Sequence, residues 1–314
     1  MPNSVCGAVG ANELGHCQIH EHIWVRHTPM AERDPALCID QYERSLSELR
    51  TYRAAGGRAI VDAQPVAAGR DAEVLRRLSA GSGVSIVAST GYHLLGFYEE
   101  KNWVHALDER ALYRLYRSEL EEGMLPWQPD AAQRPEKPTE LRAGMVKAAI
   151  PAQGPTARYG VMLRAAARAA AEARVPLMLH TEAGAHALDA LRVCFDAGVR
   201  PEKLVVCHVD RQAADFAPHE SIARTGVYLD YDTVGRFKYH SDQEEVRLLR
   251  QMEPYADRIL LSLDTTAKRL GAYGGTIDLC YLLRVFCPML REAGFTPERV
   301  SSYNNGNCRH LFAG

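Results

Sequence analysis

Eight short apolar segments recur along the chain between longer segments of helical periodicity, and this alternation constrains the fold more than any other feature. Repeated strand–helix units of this kind form a parallel sheet covered by helices. Several of the segments are apolar at nearly every position, as strands covered on both faces must be. The predicted strands span residues 16–20, 59–64, 85–90, 145–150, 176–180, 204–208, 227–232 and 259–264.

The number of strands favours one architecture over another. Eight strands with helices between them indicate an α/β fold of the closed (β/α)8 TIM-barrel type, and 314 residues suit one such barrel. An open doubly wound sheet is the alternative, because strand count alone does not prove closure. Helical patterns run from Asp40 to Gly57, from Tyr159 to Arg174 and from Gln243 to Met252. We therefore expect a single domain over residues 1–314, with a helical and loop excursion at 96–140.

Charge and composition exclude several kinds of partner. The 37 basic and 39 acidic residues nearly balance, which argues against binding to a nucleic acid or an anionic membrane. No apolar run approaches the roughly 20 residues that cross a bilayer, and the first residues lack the layout of a signal peptide. The eight cysteines contain no C-x-x-C pair and fit a reducing compartment. We expect a cytoplasmic protein with a small-molecule partner.

The first candidate site is a pair of histidines at the end of the first strand. His20 and His22 alternate with one residue between them, so both imidazoles point to the same face and can reach one ion. Such a pair also arises by chance in a chain with twelve histidines. Taken alone, it is equally consistent with an ordinary structural pair.

Further possible ligands follow at the ends of other predicted strands. In a barrel of this type these ends ring one mouth, so residues distant in sequence converge there. Each has an alternative explanation, since the histidines could be core residues and the aspartate could cap a helix. The lysine is the most informative, because burial of a free ammonium without a partner is costly. These residues are Lys147, His180, His208 and Asp264.

At this point the sequence resembles the phosphotriesterase-related branch of the amidohydrolase superfamily, which includes phosphotriesterase-like lactonases. The matching segments follow the family's order over nearly the whole chain. These segments are ELGHCQIHEHIWV, GGRAIVDAQPVAAGRD, IVASTGYH, LRAGMVKAAI, VPLMLHTEAG, LVVCHVD, YDTVGRFKYHSD and RILLSLDTT. Two places depart from the family pattern, CHVD in the sixth strand and the C-terminal NNGNCRHLFAG.

The resemblance implies a binuclear metal centre with a carboxylated lysine. On this basis His20, His22 and Asp264 bind the more buried ion, His180 and His208 bind the more exposed one, and N6-carboxylated Lys147 bridges the two. Two cations sharing a hydroxide lower its pKa and hold it at an electrophile, while Asp264 passes a proton to the leaving group. Imidazole and carboxylate ligands favour zinc, with manganese or cobalt as alternatives.

Residues in the loops after the third, seventh and eighth strands are candidates for substrate binding. Relatives that hydrolyse lactones of phosphorylated sugar acids use basic and tyrosyl groups of the last two loops, and this chain has comparable residues there. The predicted set is Lys238, Arg269, Tyr273 and Tyr92, with Tyr239, Lys268 and His93 as neighbours that could share these roles.

The favoured function is therefore hydrolysis of a sugar-acid or phosphorylated sugar-acid lactone through a metal-bridging hydroxide. An amidase of a small N-acyl compound and a phosphotriesterase are the enzymatic alternatives, because the metal ligands fix the nucleophile and leave the electrophile open. A barrel that binds a ligand without catalysis is the non-enzymatic alternative. The family resemblance also leaves room for a homodimer.

Overall fold

Each apolar segment forms one strand of a single parallel sheet, and strands adjacent in sequence are adjacent in the sheet. The structure is a computed structural model that describes residues 2–313. The predicted (β/α)8 barrel is confirmed, and an open doubly wound order is not observed among these residues. The barrel strands are β1 (His16–Glu21), β2 (Gly57–Asp62), β3 (Ser85–Gly91), β4 (Met145–Ala149), β5 (Leu177–His180), β6 (Leu204–Cys207), β7 (Tyr228–Tyr231) and β8 (Ile259–Leu261).

Polar groups join β8 to β1 where the sheet closes. The Ser262 hydroxyl accepts the His20 N–H at 3.2 Å, and the Asp264 N–H donates to the His20 carbonyl at 3.1 Å. The buried Glu21 carboxylate accepts the Leu263 N–H at 2.9 Å. Closure therefore brings the first and last strands together beside His20 and Asp264, which lie far apart in sequence.

Helices cover the outside of the barrel, and several begin at side-chain caps. Asp71, Asp108 and Ser241 each accept a backbone N–H from the first turn of the helix that follows. The helices between strands are α1 (Tyr42–Ala54), α2 (Ala72–Ser82), α3 (Glu109–Glu121), α4 (Ala157–Ala173), α5 (Ala187–Asp196), α6 (Phe216–Ala223) and α7 (Asp242–Gln251).

Shorter elements occupy both ends of the chain. A hairpin of Asn3–Ser4 and Gly7–Ala8 precedes the barrel, and a one-turn helix, Pro29–Arg33, follows β1. After β8 the chain forms α8 (Cys287–Glu292), α9 (Pro297–Ser301) and α10 (Asn307–Phe312), with π-helical turns at Leu282–Phe286 and Ser302–Gly306. Within residues 2–313, no helix is both long and apolar enough to cross a membrane.

The C-terminal helix fills one end of the barrel. Cys308, Leu311 and Phe312 of α10 belong to the same apolar cluster as Ile19, Met178 and other inward-facing strand residues. A second, larger cluster fills the space between the strands and the outer helices. Because apolar side chains occupy the lower interior, the other end of the barrel is the one available for polar groups.

The segment between β3 and β4 is the longest excursion from the barrel. It contains 3₁₀ turns at Leu95–Phe97 and Trp103–Ala106, then α3, then irregular chain over residues 122–144. A buried ion pair anchors it, because the Glu119 carboxylate on α3 receives two nitrogens of Arg70 at 2.6 and 2.7 Å. Glu119 also accepts the Thr90 hydroxyl at 2.6 Å. The excursion is therefore tied directly to the barrel below it.

Candidate metal centre and active-site cavity

The six residues predicted to bind metal lie together at the C-terminal ends of the strands. Lys147 Nζ is 3.0 Å from His20 Nε2. Asp264 Oδ1 is 3.7 Å from His20 Nε2 and 3.5 Å from His22 Nε2. On the other side of the barrel mouth, His180 Nδ1 and His208 Nε2 are 2.7 Å apart. His208 and Asp264 also offer ligand atoms within 4.8 Å of each other, which connects the two halves.

Asp232 links these two halves through the histidines. Its carboxylate accepts the Nδ1–H of His20 at 3.1 Å and the Nδ1–H of His208 at 2.7 Å. It also accepts the His208 backbone N–H at 3.2 Å. A carboxylate in this position fixes the tautomer and leaves the opposite ring nitrogen free to bind an ion. Both histidines thus present Nε2 to the centre.

His180 presents the other ring nitrogen, Nδ1, to the centre. Its Nε2 contacts the Glu182 carboxylate at 3.2 Å, which leaves Nδ1 to face His208 Nε2. The hydrogen bonds of both rings therefore direct two lone pairs toward each other across 2.7 Å. Such a pair is repulsive unless a proton or a cation lies between the nitrogens.

The protonation states favour a cation over a proton at this position. Burial lowers the pKa of His180 and holds that of His208 well below its usual value. Burial, and next the charge of Lys147, lowers the pKa of His20 to about 4. Neutral imidazoles are the form that binds metal ions. The donor set therefore fits a metal centre.

Lys147 provides a second, independent indication. Its side chain is fully buried, and its Nζ contacts only His20 Nε2 and the Met178 sulfur, at 3.0 and 3.2 Å. No carboxylate oxygen of the described residues forms a salt bridge with it, and burial lowers its pKa. A buried lysine without a carboxylate partner is unfavourable as a structural cation, so its amine is better explained by a chemical role than by a salt bridge.

Asp264 is held as a carboxylate. Burial alone would raise its pKa, but the Arg236 guanidinium, a hydrogen bond with His22 and the nearby histidines hold the pKa well below its usual value. Arg236 Nη1 lies 2.9 Å from Asp264 Oδ2, and Arg236 also donates to the Asp264 backbone carbonyl. Asp264 has φ of 46° and His208 has φ of 67°, left-handed conformations that are uncommon for these residues. Such strain often occurs where function fixes a side chain.

A cavity of about 310 Å³ opens above these residues. Its lining includes the apolar side chains of Val25, Met30, Leu37 and Ile39. Charged and aromatic groups, described next, form another part of the lining. This volume suits a small molecule.

Two arginines and a tyrosine give the cavity a basic edge. Arg211 lies over the Tyr239 ring at 5.3 Å, and its Nη2 is 3.7 Å from Asp264 Oδ2. Arg211 Nη1 contacts Glu182 at 3.3 Å, whereas its Nε is buried and has no partner. With Arg236, the cavity therefore offers two guanidinium groups near the metal ligands.

The residues predicted to bind substrate lie elsewhere. Tyr92 is fully buried in the core. The Arg269 guanidinium is buried and donates to the Val234 carbonyl at 2.7 Å. The Tyr273 hydroxyl bonds to the backbone of Gln41 and the side chain of Ser45.

Lys238 extends over the outer part of the Tyr239 ring at 4.6 Å, and Lys268 pairs with Asp34 at 2.9 Å. None of the four predicted residues is among those that line the cavity, although their neighbours Tyr239 and His93 are. Sequence reasoning did not identify Asp232, Glu182, Arg211 or Arg236. Asp232 ends a predicted strand, as His20, His180, His208 and Asp264 do, and this signal could have revealed it.

The fold and the site together define a barrel enzyme with a metal-binding active site at the C-terminal ends of its strands. A model of the phosphotriesterase family matches residues 2–312, and the chain belongs to this family, as the sequence resemblance predicted. The family and the relatives described below also establish that the protein is a metal-dependent hydrolase.

Named relatives perform more than one reaction. The phospho-furanose lactonase of Mycoplasmopsis synoviae (strain 53) is 26% identical over 326 residues, covering 99% of this chain and 91% of the relative. The N-acetyltaurine hydrolase of Danio rerio is 24% identical over 340 residues, covering 95% and 93%. The crystal structure of a lactonase from Listeria monocytogenes superposes with a TM-score of 0.89 at 24% identity, covering 99% of this chain and 98% of that one. The relatives support a lactonase-type hydrolase.

Proposed function

We propose that the protein hydrolyses the lactone of a sugar acid or phosphorylated sugar acid at a centre of two divalent metal ions. The observation that carries this proposal is the pair of facing lone pairs on His180 and His208, next to the unpaired buried Lys147 and below a basic cavity. The lactonase among the relatives supports the choice of electrophile.

The residues present would hold the two ions in a defined division. His20, His22 and Asp264 would bind one ion, and His180 and His208 the other. The Lys147 amine would add to carbon dioxide and release one proton to solvent, and the carboxylate formed would supply oxygen ligands for the ions. Zinc suits these nitrogen and oxygen donors, and manganese and cobalt are the alternatives.

Bound ions would lower the pKa of a water molecule and polarise the lactone carbonyl. The protein supplies the proton transfer. Asp264, kept ionised by Arg236, accepts the proton from the attacking water and delivers it to the ring oxygen that leaves as the lactone opens. The apolar residues of the cavity lining would limit competing water near the reacting groups.

Arg211 and Arg236 would bind an anionic group of the substrate. Both arginines line the cavity. Arginine binds carboxylate and phosphate groups through paired hydrogen bonds. A phosphorylated sugar lactone would place its phosphate here.

The primary experiment combines metal content with lactone hydrolysis in three forms of the protein. Wild type should contain about two ions at this centre, Lys147→Ala should lose them, and Asp264→Asn should retain most metal but lose turnover. Wild type without metal after loading with zinc and bicarbonate would overturn the proposal and favour a barrel that only binds a ligand.

A second experiment tests the anionic group. Arg211→Met should lower kcat/KM for a phosphorylated lactone by about 10- to 100-fold, as expected for a charged hydrogen bond, and change the unphosphorylated lactone little. Arg192→Met, an exposed arginine on α5, is the matched control and should behave as wild type. Equal losses of kcat/KM on both lactones would show that Arg211 does not bind the phosphate group.

Amide hydrolysis is the second candidate. The N-acetyltaurine hydrolase among the relatives acts, by its name, on an acylated amine, and the same two arginines would suit an acidic substituent on such a substrate. Comparison of N-acetyltaurine with the lactones under the same metal conditions distinguishes the two. A paraoxon assay tests the strict phosphotriesterase alternative in the same way.

A further inference from the structure

A second group of ligand-type side chains lies outside the active-site cavity. Asp210 follows β6, His240 lies in the loop after β7, and Glu245 is on α7. Asp210 and Glu245 are fully buried, and His240 is nearly so. None of the three lines the cavity described above. They connect the segment after β6, the loop after β7 and helix α7, and the proposed active site does not depend on these contacts.

The side chains converge on one small volume. A ring nitrogen of His240 and one carboxylate oxygen each of Asp210 and Glu245 all lie within 4.8 Å of one another. His240 Nε2 is 3.3 Å from Glu245 Oε2. The Thr233 hydroxyl lies between the other members, 2.8 Å from His240 Nε2 and 2.7 Å from Asp210 Oδ2.

The tautomer of His240 directs a lone pair into this volume. Its Nδ1 lies 3.1 Å from the Ser241 carbonyl oxygen, which can only accept a hydrogen bond. Nδ1 therefore carries the proton, and Nε2 is the acceptor nitrogen. This is the arrangement of a metal-binding imidazole.

The cluster contains more acceptors than donors. Both oxygens of Glu245 and Oδ1 of Asp210 are buried without a hydrogen-bond partner. Thr233 supplies one backbone N–H and one hydroxyl proton, and the N–H is already used by Asp210 at 2.6 Å. The hydroxyl proton can serve Asp210 or His240 but not both. Several acceptors therefore remain unsatisfied, an unfavourable state for buried polar groups that a bound cation would relieve.

Neighbouring groups do not compensate for this deficit. Within residues 2–313, no lysine or arginine forms a salt bridge with Asp210 or Glu245. Asp242 adds a further buried carboxylate nearby, although its own oxygens are satisfied by the Gly235 N–H and the Tyr281 hydroxyl. Apart from His240 itself, no basic side chain of the described residues therefore lies within salt-bridge distance of either carboxylate.

We propose that Asp210, His240 and Glu245 bind a third divalent cation, separate from the active-site centre, and that this cation is zinc. One imidazole and two carboxylates form a donor set that zinc accepts, and a buried, closed position is typical of a structural ion. The ion would join the β6 loop, the β7 loop and α7. Because Asp210 follows His208 by two residues and Thr233 follows Asp232, it would steady the backbone that carries the active-site histidines.

The test is the zinc content of the full-length protein after loading and removal of free metal. Glu245→Gln removes one charge and one ligand at nearly constant volume, and it should lower the zinc content by one ion per chain. Glu244→Gln makes the same chemical change one residue earlier, and a glutamine there can retain the helix cap. This control should keep the wild-type zinc content. Equal zinc in Glu245→Gln and wild type would overturn the proposal.

A second measurement leaves the cluster unchanged and does not depend on whether Glu245→Gln folds. The double variant Lys147→Ala/Asp264→Asn disables the active-site centre, and it should still bind one zinc per chain. If this variant binds no zinc, the proposal of a third site is wrong.

The proposed function and the third zinc site can be refuted independently. An absence of lactone turnover in wild type bears only on the proposed function, and the zinc content of Glu245→Gln bears only on the third ion.

Discussion

Asp232→Asn should weaken the binding of both active-site ions, although Asp232 contacts neither in the proposed arrangement. The carboxylate accepts from His20 at 3.1 Å and from His208 at 2.7 Å, and these histidines belong to different ions. An asparagine offers one carbonyl oxygen and one NH₂ group, so at least one imidazole N–H would face a donor. Loss of such a partner typically lowers metal affinity by 10–100-fold, or about 1.4–2.7 kcal/mol.

The assay is a zinc competition with a chromophoric chelator, with folding checked by circular dichroism. We expect at least one ion to bind 10–100-fold more weakly in Asp232→Asn, and the other ion to bind several-fold more weakly because an amide oxygen is a poorer acceptor. Glu182→Gln is the comparison, since Glu182 contacts one of the imidazoles, His180, together with Arg211, and is partly exposed. It should affect one ion, and less strongly. A folded Asp232→Asn protein that binds both ions with wild-type affinity would refute the reasoning.

Three further predictions concern stability. Glu119→Gln should lower the free energy of unfolding by about 3–5 kcal/mol in urea denaturation, because it leaves the buried Arg70 charge unpaired; a loss below about 1 kcal/mol would contradict this. Burial lowers the pKa of His219 to about 4 from 6.5, so the unfolded chain binds the proton first and stability falls as pH drops from 6.5 to 4. His219→Asn should remove up to about 3 kcal/mol of this pH dependence, and an unchanged pH profile would show that His219 does not cause it. Gly91→Ala should lower the free energy of unfolding by several kcal/mol, because its φ is 99° and the added Cβ would lie 1.9 Å from the Lys147 carbonyl oxygen. Gly56→Ala, where φ is 109° and the space is open, should lower it by only about 1–2 kcal/mol. Equal losses of stability in thermal denaturation would contradict the clash at Gly91.

The strands could be predicted because burial on both faces leaves a simple signal. The predicted segment 85–90 forms β3 at Ser85–Gly91, and 145–150 forms β4 at Met145–Ala149. The last strand is shorter than predicted, ending at Leu261, because the chain then turns to place Asp264 in a left-handed conformation. Apolar patterning gives no information about such a turn.

The grouping of the six predicted metal ligands was accessible to sequence reasoning because strand ends have a fixed place in a barrel. Loop residues have no such rule. Arg236 and Lys238 are two residues apart in one loop, yet Arg236 reaches Asp264 and Lys238 extends over Tyr239. Arg269 is buried because its guanidinium donates to the Val234 carbonyl, a long-range hydrogen bond that composition cannot reveal. The basic character of these loops was thus predictable, whereas which of their basic residues line the cavity was not.

Arg236 connects substrate binding to proton transfer within one side chain. It lines the cavity and also lies 2.9 Å from Asp264 Oδ2, where its charge holds the pKa of Asp264 down against the effect of burial. A substrate anion that binds Arg236 would therefore lie beside Asp264, the carboxylate proposed to transfer the proton. An anionic substrate would thus be positioned by the same guanidinium that orients Asp264, whereas a neutral analogue of equal size would fill the cavity without this contact.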